Sequence, residues 1–463
     1  MKIAGIHLDI PGRNFLDPEP EEPIGLEYVM AAAEDDGHNI RLFFDWQGKD
    51  KLLDEIIGYD PDVVLLEVYT KDFIASLSLC QELKEKKKDL TIVVGGYHPT
   101  ALPQQTLLDS NGSLDVVVYG EGEDTLKELL HCIEEGSSLE KVKGIAYLEN
   151  DNVKINAPRE LIADLDSIRW PVRAPQFYDL QTEGCLFYPE SSRLRYAPIV
   201  HSRGCVRSCY FCSSNRMWGR RPRFRSPSDV VAEMNHVHKN HRINMFFIED
   251  LSININERRL FALCDEMEKR LDPDIYWSSC ANIGLSKALL TKMRQAKCVC
   301  LCYGVETLDP LILKDQKKRQ SALEIKRSIT ETANVGIIPF IFYMIGFEHE
   351  TEESIRKAFR ELCKLPGLRL RLTFATPFPG TEWYEDVNKN ALDKDWSKFD
   401  TAHPVMDHPY LAKQRLLQLR HELLVEFYTG AAYKDHVDQF LSLHPEYEKS
   451  FSEFWVAIDK ALN

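Results

Sequence analysis

His201-Ser-Arg-Gly-Cys-Val-Arg-Ser-Cys-Tyr-Phe-Cys212 sets Cys205, Cys209 and Cys212 in a Cys-x3-Cys-x2-Cys spacing. Three thiolates in one loop can hold an iron–sulfur cube and leave one iron without a protein ligand. Such an iron can chelate a small molecule and pass it one electron, which a fully ligated electron-transfer cluster cannot do as directly. No fourth cysteine follows at ferredoxin-like spacing. A zinc site is the competing reading, with His201 as fourth ligand, but zinc favours four ligands in paired Cys-x2–4-Cys spacing. The three cysteines are therefore read as cluster ligands.

Outward from the loop, the chain alternates strand and helix. Tyr196 to Ser202 reads as a strand feeding the cysteines. Helices at Ser228–Lys239, Glu257–Leu271, Lys287–Ala296, Leu323–Val335 and Glu352–Leu365 separate strands at Met245–Ile248, Ile275–Cys280, Val299–Val305, Ile338–Ile345 and Leu368–Ala375. Six strand–helix units make an incomplete barrel, whose chemistry belongs at the carboxyl ends of the strands. Polar residues punctuate those ends: Glu249-Asp250, Ser279 and Asn282, Gly304-Val305-Glu306, and Gly346 followed by His349 and Glu350. The basic run Trp218-Gly-Arg-Arg-Pro-Arg-Phe-Arg-Ser226 follows the cysteines directly.

Upstream, residues 1–140 predict a flavodoxin-like, Rossmann-type parallel sheet covered on both faces. Strands at Lys2–Leu8, Ile40–Asp45, Val63–Val68, Leu90–Val94 and Val116–Tyr119 alternate with helices at Ile24–Asp36, Lys51–Ile57, Phe73–Lys87 and Thr125–Glu134. Ligands bind such sheets at the carboxyl ends of the strands. There stand Glu67, Tyr69 and Thr70, Gly95-Gly96-Tyr97-His98 and Gly120-Glu121-Gly122, with glycines that permit close backbone approach to a flat or anionic ligand. Residues 141–195 read as a linker with a small hairpin, 196–390 as the partial barrel, and 391–463 as a helical cap over the barrel mouth that carries substrate specificity.

The cysteine loop, with Phe211 before the third cysteine, resembles the signature of the radical S-adenosylmethionine (SAM) enzymes. Residues 1–140 resemble the cobalamin-binding domain that precedes the radical domain in one large subclass, and Thr376-Pro-Phe-Pro-Gly-Thr381 matches a turn of that subclass. The resemblance implies a 4Fe-4S cluster, SAM chelated to its open iron and cleaved to a 5'-deoxyadenosyl radical, and cobalamin. It places Phe211, Glu249, Asp250, Asn282, Glu306, Arg223 and Arg225 at or near SAM. Tyr69, Thr70, Gly95, Gly96, His98, Gly120, Glu121 and Gly122 fall near cobalamin, with His98 lining the pocket and not binding cobalt. The Asp-x-His-x-x-Gly motif that puts a histidine on cobalt is missing. His349 and Glu348 also depart from the subclass pattern after the fifth barrel strand.

The activity implied is methyl transfer to an unactivated carbon of a small molecule or peptide. The alternative is a cyclisation, rearrangement or oxidation without methyl transfer. A methylthiotransferase is disfavoured, because only Cys80 and Cys132 lie in the first domain, where that branch carries a second cluster. An external electron donor such as flavodoxin or ferredoxin is expected.

Composition bounds the rest. The chain has 463 residues, 44% hydrophobic and 28% charged, with twelve cysteines and a net charge of −15. That acidity argues against a broad nucleic-acid surface. No apolar run reaches about 18 residues and no signal-peptide pattern opens the chain, so a cytoplasmic protein away from the membrane is expected, with reduced thiols.

Overall fold

The computed structural model describes residues 1–8, 22–150, 152–180 and 195–462; part of the expected linker, 181–194, lies outside them. Two parallel sheets organise the chain. In the first, β1 (Lys2–His7), β2 (Asn39–Phe44), β3 (Val63–Glu67), β4 (Thr91–Gly95) and β5 (Val116–Val118) lie in the order β2-β1-β3-β4-β5, all parallel. Alternate β3 residues serve opposite cores: Val64 and Leu66 join one cluster, Val63 and Leu65 the other. A strand buried on both faces must be apolar at every position, which is why it reads as an unbroken run.

The hairpin of β6 (Ile145–Glu149) and β7 (Asn152–Ile155) forms where its turn residues set it. It is no free connector, however: β6 pairs antiparallel with β5 and extends the first sheet to seven strands. Covering the edge of β5 satisfies its backbone groups, and period-two apolar alternation alone does not reveal that partner.

In the second sheet, β8 (Tyr196–Ile199) begins the sequence. A two-stranded ribbon of β9 (Ser202–Arg203) and β10 (Arg223–Phe224) follows, and then β11 (Met245–Ile248), β12 (Tyr276–Ala281), β13 (Cys298–Glu306), β14 (Ile338–Ile345) and β15 (Arg369–Phe374). The six strands β8, β11, β12, β13, β14 and β15 lie side by side in chain order, all parallel. This is the expected partial barrel, with strand bounds within a few residues of those read from sequence.

The carboxyl-terminal helices Lys413–Thr429, Ala431–Leu443 and Glu448–Leu462 correct one expectation. They seal the open edge and the amino-terminal end of the barrel, while Leu416 and the segment before the helices reach its mouth: His408 bonds the Phe347 carbonyl at 2.9 Å, and Leu392 and Met406 cluster with Phe347 and Ala375. Tyr428 Oη donates to the Leu370 carbonyl at 3.0 Å and accepts from the Leu370 amide at 2.9 Å, while Tyr433 Oη donates to the Leu368 carbonyl at 2.9 Å. Tyr447 Oη reaches the Gly336 carbonyl just before β14. An edge strand exposes unpaired amides and carbonyls, and these tyrosines satisfy them while burying their rings. The first unit is met instead by the segment around Trp396, whose ring stands edge-on to His98 at 5.4 Å.

Candidate active site

The cysteine loop is an excursion closed at its base. The β9–β10 ribbon pinches residues 204–222 at their ends, Arg203 pairing with Arg223. Gly204 has φ +99°, and a Cβ there would stand 2.7 Å from the Arg221 carbonyl oxygen, so the first step out of the ribbon requires glycine. Inside the loop the Cys205 amide donates to the Gly219 carbonyl at 3.2 Å, the Cys212 amide to the Cys209 carbonyl at 3.1 Å, and the Asn215 side chain to the Arg207 carbonyl at 2.7 Å. Backbone bonds thus fix the loop without engaging the cysteine sulfurs in disulfides; all three thiols are free.

The three cysteines open into one cavity of about 190 Å³ at the carboxyl ends of the barrel strands. Phe211, Asn282 and Glu306 line it with them, so these sequence-nominated residues converge. Burial raises the Cys205 and Cys209 thiols above their ordinary pKa. Lys318, not anticipated from sequence, pairs with Glu306 at 2.7 Å and lies over the Phe211 ring at 5.7 Å. Burial works against its ammonium, but Glu306 and Cys209 outweigh that and its pKa rises. Nothing in the run Asp315-Gln-Lys-Lys-Arg319 separates it from an ordinary solvated charge cluster. Cys280 and Cys302 also line the cavity, from facing positions on β12 and β13.

Other nominated residues stand elsewhere. His201 is no fourth ligand: it is 1% exposed, and its Nδ1 lies 2.8 Å from Asp250 Oδ2. Asp250 Oδ1 accepts from the amides of His201 and Ser202, so this carboxylate anchors the end of β8 and does not line the cavity. Glu249, next to it, is exposed and outside the cavity lining. Arg225 is corrected most fully. Its guanidinium binds Glu233, Asp229 and the Val200 carbonyl, within hydrogen-bond reach of Tyr28 Oη, and has no place at the cysteines.

Arg223 belongs to a clamp between the two sheets. Glu121, at the end of β5, accepts from Arg203 at 3.0 Å and from Arg223 at 2.8 and 2.9 Å, and Glu123 accepts from Arg203 at 2.5 Å. All four side chains are buried. A buried charge without a partner is expensive, so a carboxylate and two arginines arriving from separate units fix the base of the cysteine loop on the first sheet. The Trp218 indole donates to Tyr97 Oη at 2.7 Å and adds a second tie.

A second cavity of about 100 Å³ lies at the carboxyl ends of β3, β4 and β5, beneath Met217 and Trp218 of the cysteine loop. Gly95, Gly96, Gly120, Glu121 and Gly122 line it as expected. Tyr69, Thr70 and His98 do not. The helix Tyr97–Ala101 starts immediately after Gly96, turning Tyr97 toward the cavity and His98 away from it. His98 stacks on Phe73 at 4.1 Å, bonds Thr70 Oγ1 at 3.3 Å and is pushed down to about 4 by burial, so it is neutral. Tyr69 stacks on Tyr97 at 5.8 Å and is 38% exposed. Gly346 and Glu350 form another turn: the Glu350 carboxyl accepts from the Gly346 and Phe347 amides at 2.7 and 3.0 Å, and burial raises its pKa to about 8. His349 lies outside the cysteine cavity, on a separate surface pocket with Tyr210 and Trp383.

Comparison with known proteins agrees with both halves. Residues 18–130 match the B12 binding domain and residues 199–362 the radical SAM superfamily. The chain belongs to the cobalamin-dependent radical SAM enzymes, with a 4Fe-4S cluster, SAM and cobalamin as cofactors. It is 27% identical over 413 residues to a protein of Pyrococcus horikoshii named as an uncharacterized methyltransferase, covering 88% of this chain and 87% of that one. It is 26% identical over 406 residues to the anaerobic magnesium-protoporphyrin IX monomethyl ester cyclase of Cereibacter sphaeroides, covering 85% and 65%. The radical SAM methyltransferase TsrM of Kitasatospora setae, solved with cobalamin and a [4Fe-4S] cluster, shares the fold at a TM-score of 0.68 and 16% identity, over 84% of this chain and 78% of that one. Among the described residues no helix is long and apolar enough to cross a membrane.

The residues fit the cofactors. Three thiols opening into one cavity suit a cube with an open iron. The slot over the first sheet, with Leu26, Val29, Leu65, Val93, Val118 and Leu126 on its walls and glycines at its rim, suits a flat apolar group.

Proposed function

We propose that this protein is a radical SAM C-methyltransferase that uses cobalamin to methylate an unactivated carbon of a small molecule or peptide. One observation carries the reading: the loop that bears Cys205, Cys209 and Cys212 also closes the first-sheet cavity with Met217 and Trp218, so two cofactor sites share one wall. The cofactors supply the chemistry when bound, an electron from the cluster to SAM and a methyl group from the corrin. The chain's task is to hold and separate them. The three cysteines ligate the cluster; Phe211, Asn282 and Glu306 contact SAM, with Lys318 holding the Glu306 carboxylate in place. Gly95, Gly96, Gly120, Glu121 and Gly122 border the corrinoid site. Arg203 and Arg223, through Glu121, keep the two sites in register. Glu249, Asp250 and Arg225 are assigned no SAM contact; Asp250 and Arg225 position the barrel's first strand.

In this reading residues 1–140 together with the hairpin form the corrinoid unit, the rest of 141–195 connects, 196–390 form the radical barrel, and 391–463 brace its edge. A cytoplasmic setting with flavodoxin or ferredoxin as reductant suits an enzyme that consumes single electrons. The methyltransferase name of the Pyrococcus relative supports methyl transfer. The Cereibacter cyclase keeps the alternative of cyclisation or oxidation without methyl transfer as a second reading. Anaerobically reconstituted protein given methyl-labelled SAM, hydroxocobalamin and a reductant separates the two. Label appearing in a candidate substrate together with 5'-deoxyadenosine supports methyl transfer; a changed substrate that carries no label rejects it.

A further inference from the structure

Glu67 closes β3 and lines the first cavity, among walls that are otherwise mostly apolar. Its Oε2 is shielded from solvent and has no hydrogen-bond partner. The other oxygen crowds Gly25, where a Cβ would stand 2.5 Å away, so glycine at the start of the helix Ile24–Asp35 leaves room for this carboxyl. Leaving a buried polar atom unpaired costs about 1–3 kcal/mol. A chain that keeps one at the end of a slot bordered by Gly95, Gly96, Gly120 and Gly122 holds a position for a ligand atom.

We propose that Glu67 is the residue that reads the heterocyclic base of the corrinoid's nucleotide tail, through a hydrogen bond from its protonated carboxyl to a ring nitrogen of that base. This rests on the cobalamin reading above and adds a specificity determinant to it. The chemistry of the two partners matches. A benzimidazole joined to its ribose through one nitrogen keeps one ring nitrogen, an acceptor with no N–H, and its flat faces suit the walls of Leu26, Val29, Leu65 and Val93. An ionised carboxylate could only accept, and would repel that nitrogen.

The surroundings favour the acid form. Burial raises the Glu67 pKa to about 7, with Asp72 adding to the rise, while hydrogen bonds from the Leu26 amide and Tyr69 oppose it. Tyr97 faces it from β4's end, and Glu121, Glu123 and Arg203 line the far side of the cavity, the last three already engaged with one another. Because the folded pKa is raised, the donor form prevails below about 7 and is lost as pH rises through it.

Three probes test this: cobalamin, cobinamide lacking the nucleotide tail, and a cobamide with adenine as lower base, which offers an amino donor. Each is titrated into cluster-reconstituted protein and followed by its corrin absorption between pH 6 and 8. Wild type is expected to bind cobalamin more tightly than cobinamide, with cobalamin affinity falling as pH rises through about 7. Glu67→Leu should weaken cobalamin roughly 5-fold to 150-fold and leave cobinamide unchanged. Glu67→Gln, which keeps a donor, should retain cobalamin binding within about 3-fold and lose the pH dependence. It should also narrow any preference for benzimidazole over adenine. Equal losses of cobalamin and cobinamide in Glu67→Leu with Glu67→Gln as weak as Glu67→Leu, or no loss in either variant, would overturn the assignment. Wild type that binds both corrinoids equally overturns this proposal alone, whereas wild type that binds neither overturns the cobalamin reading with it.

Discussion

The cavity over the first sheet and the cavity at the cysteines are both bordered by residues of the 204–222 loop, yet they are walled by opposite materials. Leu26, Val29, Leu65, Val93 and Leu126 make the first a slot that selects by shape; three thiols, Asn282 and the Glu306–Lys318 pair make the second a site that selects by ligation and charge. Ligation concentrates its energy in a few atoms, whereas a shaped apolar slot spreads it over many contacts of about 25 cal/mol per Å² each. Single substitutions should therefore be all-or-none at the three cysteine ligands and graded everywhere else in the two cavities.

The sharpest break is expected at the ligands. Changing Cys205, Cys209 or Cys212 singly to Ala should abolish the cluster absorbance and deoxyadenosine formation, because three-thiolate ligation has no spare donor. Corrin binding should survive in all three, since the first cavity takes only Met217, Trp218 and Arg203 from the barrel unit. The neighbouring thiols Cys298 and Cys300 are fully buried on β13, and replacing either by Ala should leave the iron content unchanged.

The clamp between the cavities comes next. Glu121→Ala leaves Arg223 a buried cation without its carboxylate and Arg203 with Glu123 alone, and should cost about 3–5 kcal/mol in a denaturant melt, with both cofactors bound more weakly. A loss confined to corrin binding, with the melt unmoved, would make Glu121 a simple ligand contact. Smaller again is Glu306→Gln, which removes the charge partner of Lys318 and weakens the proposed contact with SAM. SAM affinity should fall roughly 5-fold to 150-fold without loss of iron, measured by electron paramagnetic resonance of the reconstituted cluster. If SAM titrations stay unchanged while the melting temperature drops, the carboxylate is structural only. The mildest effect lies outside both cavities. The raised pKa of Glu350, about 8, means the native state holds its proton more tightly than the unfolded chain, so stability falls as pH rises from the ordinary carboxylate range to about 8. Glu350→Gln should flatten that part of the stability profile.

The same contrast explains what could be read in the sequence. Ligation is local: Cys-x3-Cys-x2-Cys states its own spacing, and the strands β11 and β14 were legible to the residue because unbroken apolar runs end at Glu249 and Gly346. Glycine rims are local too, and Gly95, Gly96, Gly120 and Gly122 fall at the slot as expected. Side-chain partners across the fold are not. Arg223 and Arg225 read as neighbours of SAM because nothing in Arg-Phe-Arg-Ser announces Glu121 about a hundred residues upstream or Glu233 on the next helix. His98 was placed in the pocket with its neighbour Tyr97, but consecutive residues of a helix point in different directions. Lys318 escapes a sequence reading for the same reason, because it matters through a partner on a distant strand. Glu67 does not: it stands with Tyr69 and Thr70 after β3, where the sequence places a ligand, and of the three it is the one that lines the slot. The tail 391–463 is legible as helical, yet an apolar face carries no address: in the helix Lys413–Thr429, Leu416 packs near Gly346 at the barrel mouth, as a cap would, while Tyr428 braces β15.

The central claim is that one loop separates a ligated cluster from an independently bound corrinoid, and metal content tests it most directly. After anaerobic reconstitution with iron, sulfide and hydroxocobalamin, each wild-type chain should carry about four irons and about one cobalt. The Cys209→Ala chain should keep its cobalt while losing its iron. Wild-type protein that holds iron but no cobalt, or a Cys209→Ala chain that loses both together, would contradict the account.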